Sequence, residues 1–468
     1  MATTVSLKPN AVELSGSTSG TTTLQATAVA GTTTVTLPAA TDTLVGKATT
    51  DTLTNKTLTA PVISTISNTG TLTLPTSTDT LVGRATTDTL TNKTLTSPTL
   101  TTPALGTPAS GVMTNVTGIN YDGYKNRIIN GAMVINQRAG GTVTPTASTY
   151  TYITDRWNVL QSQSSKLTAA QSSTAPAGFN NSLLITSSSA YSITSTDQFM
   201  FSQSIEGYNI ADLGWGTANA KTVTLSFWVQ SSLTGTYGVV LKNNSSGYTY
   251  GATYTINSAN TWEQKTITIA GPTGGTWETT TSAGIIVRFG LGVGSTYSLA
   301  AGSWSTSGYY DGVTGAQSLV GTNGATFYLT GVQLEKGSTA TSFDYRPYGT
   351  ELALCQRYYQ KFTADGAYGN IGGTAWVRTS STFVANEPHL VSMRATPTGA
   401  SLGNWYAGDS LATNYQIGTS SLTVTGISTN SSVLNFTGVG GGTFNAGGAC
   451  SPNSGPSNTG GFYITAEL

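Results

Sequence analysis

"KTVTLSFWVQSS" runs from Lys221 to Ser232. Val223, Leu225, Phe227 and Val229 alternate with Thr224, Ser226, Trp228 and Gln230, the period-two pattern of a strand with two unlike faces. The pattern recurs in "TYGVVLK" (Thr236 to Lys242), "EQKTITIAG" (Glu263 to Gly271), "AGIIVRFGLGVG" (Ala283 to Gly294) and "ATFYLTGVQLEKG" (Ala325 to Gly337). Gly, Asn, Ser and Pro turns separate these runs. Many short strands so spaced predict a sandwich or jelly roll.

Helix periodicity is almost absent. The exception is "TELALCQRYYQKF" (Thr350 to Phe362). Thr350 is placed to cap a helix, Glu351 suits its first turn, and Leu352, Cys355, Tyr359 and Phe362 share a helical face. Pro347 blocks earlier extension. A turn or two of helix passing into a strand at "RYYQKF" is expected, at a junction between two domains. Beyond it, "TSSLTVTGIS" (Thr419 to Ser428) and "GFYITAEL" (Gly461 to Leu468) read as strands. "GVGGGTFNAGGACSPNSGPSNTGG" (Gly438 to Gly461) reads as one long loop, either an adaptable receptor-facing surface or a solvent loop closing the last sandwich.

Upstream, the text changes. Threonine fills 33 of the first 100 positions, and all 42 aromatic residues lie from Tyr121 onward. Aromatics carry much of a globular core's buried area, so residues 1 to about 120 are not an ordinary globule. Leu37 to Ile63 aligns with Leu74 to Leu100 at a shift of 37 residues with six differences. Within it, "TLTNKTLT" (Thr52 to Thr59) is nearly mirror-symmetric about Asn55-Lys56, which suits a two-residue hairpin turn. "GTTTVTLP" (Gly31 to Pro38) and "GTLTLP" (Gly70 to Pro75) alternate like strands and stop at Pro. One copy has too few apolar residues to fold alone, whereas three copies would bring them to a common axis and leave Thr in water. The alternative is a flexible Thr-rich linker.

Charged residues make up only 9% of the 468-residue chain, and the formal net charge is zero. Ordinary soluble proteins are about 25% charged. There is no basic stripe for nucleic acid and no apolar run near the roughly 18 residues of a membrane span, so neither nucleic-acid binding nor membrane insertion is expected. The N-terminus lacks signal-peptide features. Cys355 and Cys450 lie far apart and read as buried hydrophobes rather than a bridge. Synthesis in a cytosol and release by lysis reconcile these features.

Certain residues resemble a known group. "DTLTNKTLTAP", followed by "TSPTLTTPALGTPASG" (Thr96 to Gly111), resembles the shafts of bacteriophage tail fibres. "NRIINGAMVINQR" (Asn126 to Arg138), then "DRW" (Asp155 to Trp157), resembles the start of a jelly-roll domain of phage tail proteins. "GVQLEKGSTATSFDYRP" (Gly331 to Pro347), followed by "LCQRYYQK", is similar to the end of that domain. The opening also resembles carbohydrate-binding modules that begin N-L-x-x-N-G-x-F-E: Asn126, Asn130 and Gly131 match. Met133 and Val134 stand where that family has an aromatic and a carboxylate, and "FYLTGVQLE" lacks an acidic residue those modules carry. The calcium of those modules is therefore not expected here.

The resemblance implies an all-β chain. Residues 1–120 would form the virion-attachment region and an extended trimeric shaft. Residues 121–347 would form a jelly-roll β-sandwich, and residues 348–468 a second, β-sandwich-like receptor-binding tip, with the short helix at the junction. It implies a homotrimer in the virion tail. The N-terminus would meet tail, adaptor or baseplate proteins, and the C-terminal domains a host surface polysaccharide.

Sugar recognition needs flat aromatic faces with amide or carboxylate partners. "GNWYAGDS" (Gly403 to Ser410) reads as the best loop, with Trp405, Tyr406, Asn404 and Asp409; Trp376 and Tyr415 lie in the same segment. Trp157, Trp228 and Trp262 read as core. Trp277, Trp304, Tyr309 and Tyr310 fall in loop-like text and are candidates for a lateral site. His389 is the sole histidine, with no metal-ligand spacing around it, and no nucleophile elbow is present. Asp311, Glu335, Asp344, Glu351 and Asp365 show no pattern of a hydrolytic pair. No catalytic residue, metal or cofactor is therefore expected. The leading expectation is a non-enzymatic adhesin; its rivals are a polysaccharide-cleaving tailspike and a structural collar or connecting fibre.

Overall fold

The structure, a computed structural model, describes residues 5–8, 11–15, 19–25, 125–138, 140–244, 247–306, 308–363, 375–379, 381–402, 405–408, 414–417, 422–426, 428–437, 449–453 and 460–468, with isolated positions 34, 39, 57, 59, 94 and 96. The chain divides into two units, Met1–Val112 and Met113–Leu468. The mirror-symmetric hairpin and the strands expected at Gly31–Pro38 and Gly70–Pro75 lie outside the described residues.

In the first unit, Val5–Lys8, Ala11–Ser15 and Thr21–Gln25 form an antiparallel sheet in that order. Register aligns Leu7, Val12 and Leu24 in one row and Val5 and Leu14 in the next row of the same face. Leu14 and Leu24 are exposed. Sequence reading missed this meander, although alternation in "VSLK" and "AVELS", separated by Pro-Asn, marks it.

The second unit contains a sandwich. Its seven-stranded sheet runs, in spatial order, Trp304–Ser305, Thr249–Ile256, Gly235–Lys242, Ala283–Val293, Gln198–Glu206, Trp157–Gln161 and Thr151–Thr154. The five-stranded sheet runs Glu263–Ile269, Val223–Ser231, Thr326–Lys336, Ser182–Ser187 and Leu167–Ser172. All five strands expected around "KTVTLSFWVQSS" are present. Val223, Leu225, Phe227 and Val229 are fully buried. They meet a row of the larger sheet in which Val239, Phe289, Phe201 and Val159 lie side by side. Phe289 stacks on Phe201 at 5.0 Å, and Phe227 meets it edge-on at 5.1 Å, both favourable ring geometries.

The resembling motifs turn out to be pins for backbone. Asn126 Nδ2 donates to the Val332 carbonyl at 3.0 Å, and its Oδ1 accepts from the Ile128 and Leu334 amides. Asn130 Nδ2 donates to the Ile135 and Asp155 carbonyls, and its Oδ1 accepts from the Ile135 amide. These buried carboxamides satisfy groups that no ladder pairs. Gly131 is required by close approach: a Cβ there would stand 2.2 Å from the Val332 carbonyl oxygen. In "DRW", Asp155 accepts from the Gln137 amide and side chain, while Trp157 Nε1 donates to Asn130.

The other face of the seven-stranded sheet is covered by the chain itself. Val240, Arg288, Ser202 and Asn158 form one row on it, and all four are buried. At one end Leu299 and Val313 pack on Val240, and Asp311 takes ion pairs from Lys242 at 2.9 Å and from Arg288. At the other end Arg156 pairs with Glu467 and stacks on Tyr358 at 3.6 Å.

The junction helix spans Tyr348–Gln356. Its N-cap is Pro347, with no side-chain cap, so Thr350 lies inside the helix and does not cap it. Tyr359 and Phe362 belong to the strand Tyr359–Thr363, which pairs with Gly461–Thr465. This is the strand expected at "RYYQKF", and within it Tyr359 and Phe362 no longer share a helical face with Leu352 and Cys355. Arg357 and Tyr358 clasp the buried Glu206 of the sandwich, at 2.6 Å each. Burial is the main cause that pushes the Tyr358 phenol up to about 12.

The C-terminal region is one ten-stranded sheet in the order Tyr359–Thr363, Gly461–Thr465, Thr398–Leu402, Leu422–Gly426, Ser431–Thr437, Thr382–Pro388, Ala375–Thr379, Ala449–Asn453, Trp405–Gly408 and Asn414–Ile417. Phe383 and Phe436 stack at 4.4 Å in its core. The stretch from Gly438 to Gly461 is therefore not a single loop: Ala449–Asn453 is a strand with a partner on each side. Its Gly-rich flanks masked a strand whose partners lie far away in sequence.

Candidate functional site

Trp376 sits in the strand Ala375–Thr379, between Val384 on one neighbour and Ala449 on the other. It is 65% exposed, while Ala375 and Val377 beside it are buried. This alternation gives the sheet an inner and an outer face. The outer row through Trp376 runs Thr423, Asn435, Val384, Trp376 and Ala449. Asn386, two residues along its strand, is exposed on that face, whereas Arg378, also exposed, sits at a bulge beyond which Thr379 takes the outer position opposite Thr382. The outer face thus carries an exposed indole, with Val384 between it and the Asn435 carboxamide.

Register carries the rows further. Ala449, Ser451 and Asn453 alternate with the buried Cys450 and Pro452. Asn453 pairs with Tyr406, and Tyr406 with Gln416. Tyr406 therefore takes a register position in the outer set of rows, with Trp376. Pro452 pairs with Ala407 and Ala407 with Tyr415, so Trp405 and Tyr415 take positions in the set of Cys450. The sequence alone puts Trp405 and Tyr406 together in a loop. The structure makes 405–408 a strand flanked on both sides, and neighbours in a strand belong to opposite faces. Asn404 and Asp409 lie outside the described residues.

The remaining sequence candidates have other roles. Trp277 is buried, and it packs edge-on with Trp215 and Trp304 at 4.8–5.7 Å. Tyr310 packs on the Val240 cluster. Of the four lateral candidates only Tyr309 is exposed, and it lies 5.5 Å from the Lys242 ammonium. Trp157 is core, while Trp228 and Trp262 are half-buried. His389 has both ring nitrogens engaged, with the Thr429 carbonyl and the Ser432 hydroxyl at 2.8 Å each. Cys355 and Cys450 are buried and free. Burial pushes the Cys450 thiol up to about 11, which leaves little thiolate. Among the carboxylates, Asp311 is in the ion pairs already given, Glu335 accepts from Thr341 and Gln333, and Glu351 pairs with Arg346 at 3.2 Å. Asp365 lies outside the described residues. Among the described residues no group of three or more His, Cys, Asp or Glu is placed to hold a metal ion, and no helix is long and apolar enough to cross a membrane.

No protein-family model matches the chain, and no curated protein matches it. Solved structures give likenesses in fold. The enzymatically active domain of tailspike protein 4 from bacteriophage CBA120 is 14% identical with a TM-score of 0.27, over 46% of this chain and 22% of that one. The family 11 carbohydrate-binding module from Clostridium thermocellum, in complex with a mixed-linked tetrasaccharide, is 10% identical with a TM-score of 0.21, over 44% and 100%. A xylan-binding domain from Paenibacillus barcinonensis is 9% identical with a TM-score of 0.21, over 41% and 92%.

Proposed function

We propose that the chain is a non-enzymatic adhesin of a bacteriophage tail, which attaches the virion to a host surface glycan through the outer face of its C-terminal sheet. The observation that carries this reading is Trp376: a large indole, mostly in water, on an open β-face that also carries Asn435 and Asn386. Burying so large an apolar ring would be favourable by about 2–3 kcal/mol, so leaving it in water favours a ligand that covers it. A pyranose does so with its C–H face, and the carboxamides on the same face take its hydroxyls. Near-zero net charge suits stacking and hydrogen bonding rather than ionic steering.

The tail-fibre part of the reading rests on the threonine-rich phrase and its 37-residue copy. The N-terminal meander supports self-association. A three-stranded sheet with Leu14 and Leu24 exposed on its apolar face has no cover there among the described residues, and so small a sheet needs one for stability. Three copies of a weak site on one fibre also raise avidity. The ion-paired or hydrogen-bonded states of Asp311, Glu335 and Glu351 favour binding over hydrolysis.

The test exposes the purified full-length chain to a panel of bacterial capsular and O-antigen polysaccharides. Saturable binding by at least one, without new reducing ends or unsaturated products, is the expected result. Release of oligosaccharides would overturn the non-enzymatic part. Binding unaffected by Trp376→Ala would overturn the assignment of the face. Mass in solution tests the trimer: three times 48.1 kDa is expected, and a stable monomer would exclude it.

A further inference from the structure

The sandwich carries a cleft of about 210 Å³, lined by the segment after Asn126, the loop around Phe179 and the segment leading into the junction helix. Its wall is aromatic. Phe179, Phe343 and Tyr345 contact one another, with centroids 5.1, 5.4 and 4.8 Å apart. Tyr345 is nevertheless 57% exposed. Its hydroxyl donates to the Gly178 carbonyl, which fixes the ring. Tyr348, also lining the cleft, is 63% exposed. Phe179 is held from beneath at Gly331, where the chain bulges at φ +60° and a Cβ would stand 2.6 Å from the Phe179 ring. Two tyrosines are thus left in water by a scaffold that orders one of them.

The polar lining is sparse. Asn180 is exposed. Asp344 Oδ2 accepts from the Asn126 amide at 3.2 Å, and Oδ1 has no hydrogen-bond partner among the described residues. Glu351 and Arg346 also line the cleft, but they neutralise each other in their ion pair. Among the described residues Asp344 makes no ion pair.

We propose that this cleft is a second glycan subsite, which holds one neutral pyranose with its C–H face on Tyr345 and Tyr348 and its hydroxyls on Asp344 and Asn180. The proposal rests on the reading that the chain binds glycan, but on residues separate from the Trp376 face. Size argues for one ring, because pockets for drug-sized ligands run to about 300–1,000 Å³. Charge argues against uronic or sialic acids: an anionic sugar would meet the Asp344 carboxylate with no free cation in the lining. Paired with the Trp376 face, a second weak subsite on the same chain multiplies avidity for a repeating polymer.

Saturation-transfer NMR on the full-length chain tests this with the methyl α-glycosides of glucose, galactose and mannose, and with methyl glucuronide. At least one neutral glycoside should show saturation at its ring C–H protons, and the glucuronide little. With Trp376→Ala as the background, so that only the cleft reports, Tyr348→Ala should weaken that binding about tenfold and Tyr348→Phe should retain it. Tyr348 is exposed enough that Tyr348→Ala should melt as the parent does. No signal from any neutral glycoside, equal binding of the glucuronide, or a signal indifferent to Tyr348→Ala would overturn the proposal. The two readings fail separately. If no polysaccharide binds while a glycoside still reports through Tyr348, the adhesin falls and the cleft stands. If polysaccharide binds through Trp376 and Tyr348→Ala changes nothing, the cleft falls and the adhesin stands.

Discussion

The sandwich and the C-terminal sheet are built from the same kind of alternating strand, yet they treat their second faces differently. In the sandwich, the row Val240, Arg288, Ser202, Asn158 lies opposite the core row and is still buried. The segment carrying Leu299, Asp311 and Val313 covers one end of that face, and Tyr358 with Glu467 covers the other. In the C-terminal sheet the equivalent row, through Thr423, Asn435, Val384 and Trp376, keeps its indole in water. A sheet face closed by its own chain contributes stability. A face left open, with an aromatic on it, is available to a ligand. The difference teaches where to look for function in an all-β chain: at the row whose burial does not match its residue type.

The largest expected effect tests the closed side. Phe289→Ala removes a fully buried ring stacked on Phe201 and should cost about 3–5 kcal/mol in denaturant unfolding, whereas Trp376→Ala should stay within about 0.5 kcal/mol. Comparable losses would mean that the Trp376 face is not open. Next, Glu206→Ala leaves Arg357 and Tyr358 without their shared carboxylate. It should cost about 2–3 kcal/mol and split one calorimetric transition into two. A single unchanged transition would show that the clasp does not couple the two halves.

Binding effects come third. Trp376→Ala should weaken polysaccharide binding by about 1.4 kcal/mol, a factor of ten. Tyr406→Ala, in the same set of rows, should act in the same direction. Trp405→Ala, in the Cys450 set, should instead lower the melting temperature. An exchange of these two phenotypes would show the register to be off by one residue.

The smallest effect concerns acid. Burial alone would raise the Asp197 carboxyl, but it accepts hydrogen bonds from Ser162, Thr194, Gln163 and Tyr191, which hold it well below the usual carboxylate range. A carboxyl depressed in the folded state contributes stability above its unfolded value of about 4, and this is lost as pH falls through that value toward the folded one. Asp197→Asn should cost about 1 kcal/mol at neutral pH and flatten the decline between about pH 5 and pH 2. An equally steep decline in the variant would show that the acid response arises elsewhere.

Strand identity in the sandwich was legible because alternation is local. Val223 to Val229 states which residues face the core before any partner is known. The helix was legible in place and in its passage into a strand at "RYYQKF"; its cap was not, because the helix starts at Tyr348, two residues before Thr350. The N-terminal meander is easily overlooked because its strands are short and poor in large apolar residues: Val5 and Leu7, Val12 and Leu14, and Leu24 alone in the third. The candidate site was half legible. Trp376 and Tyr406 were identified as residues, but their separation from Trp405 and Tyr415 was not. The aromatics of the cleft were missed as well, because Phe179 lies more than 160 residues from Phe343 and Tyr345.

By itself, then, the sequence determined the class of structure: period-two runs, turn residues between them, and almost no helix leave a β architecture as the way to bury these side chains. It also determined the contrast between an aromatic-free N-terminal region and the aromatic remainder. Only the tertiary structure decided which of the two faces of each sheet meets water. That choice depends on strand partners such as Ala449 for Trp376, 73 residues apart, and on the segments that fold back over a face. Neither is encoded in the local period, because alternation specifies two faces and does not say which one the rest of the chain will cover.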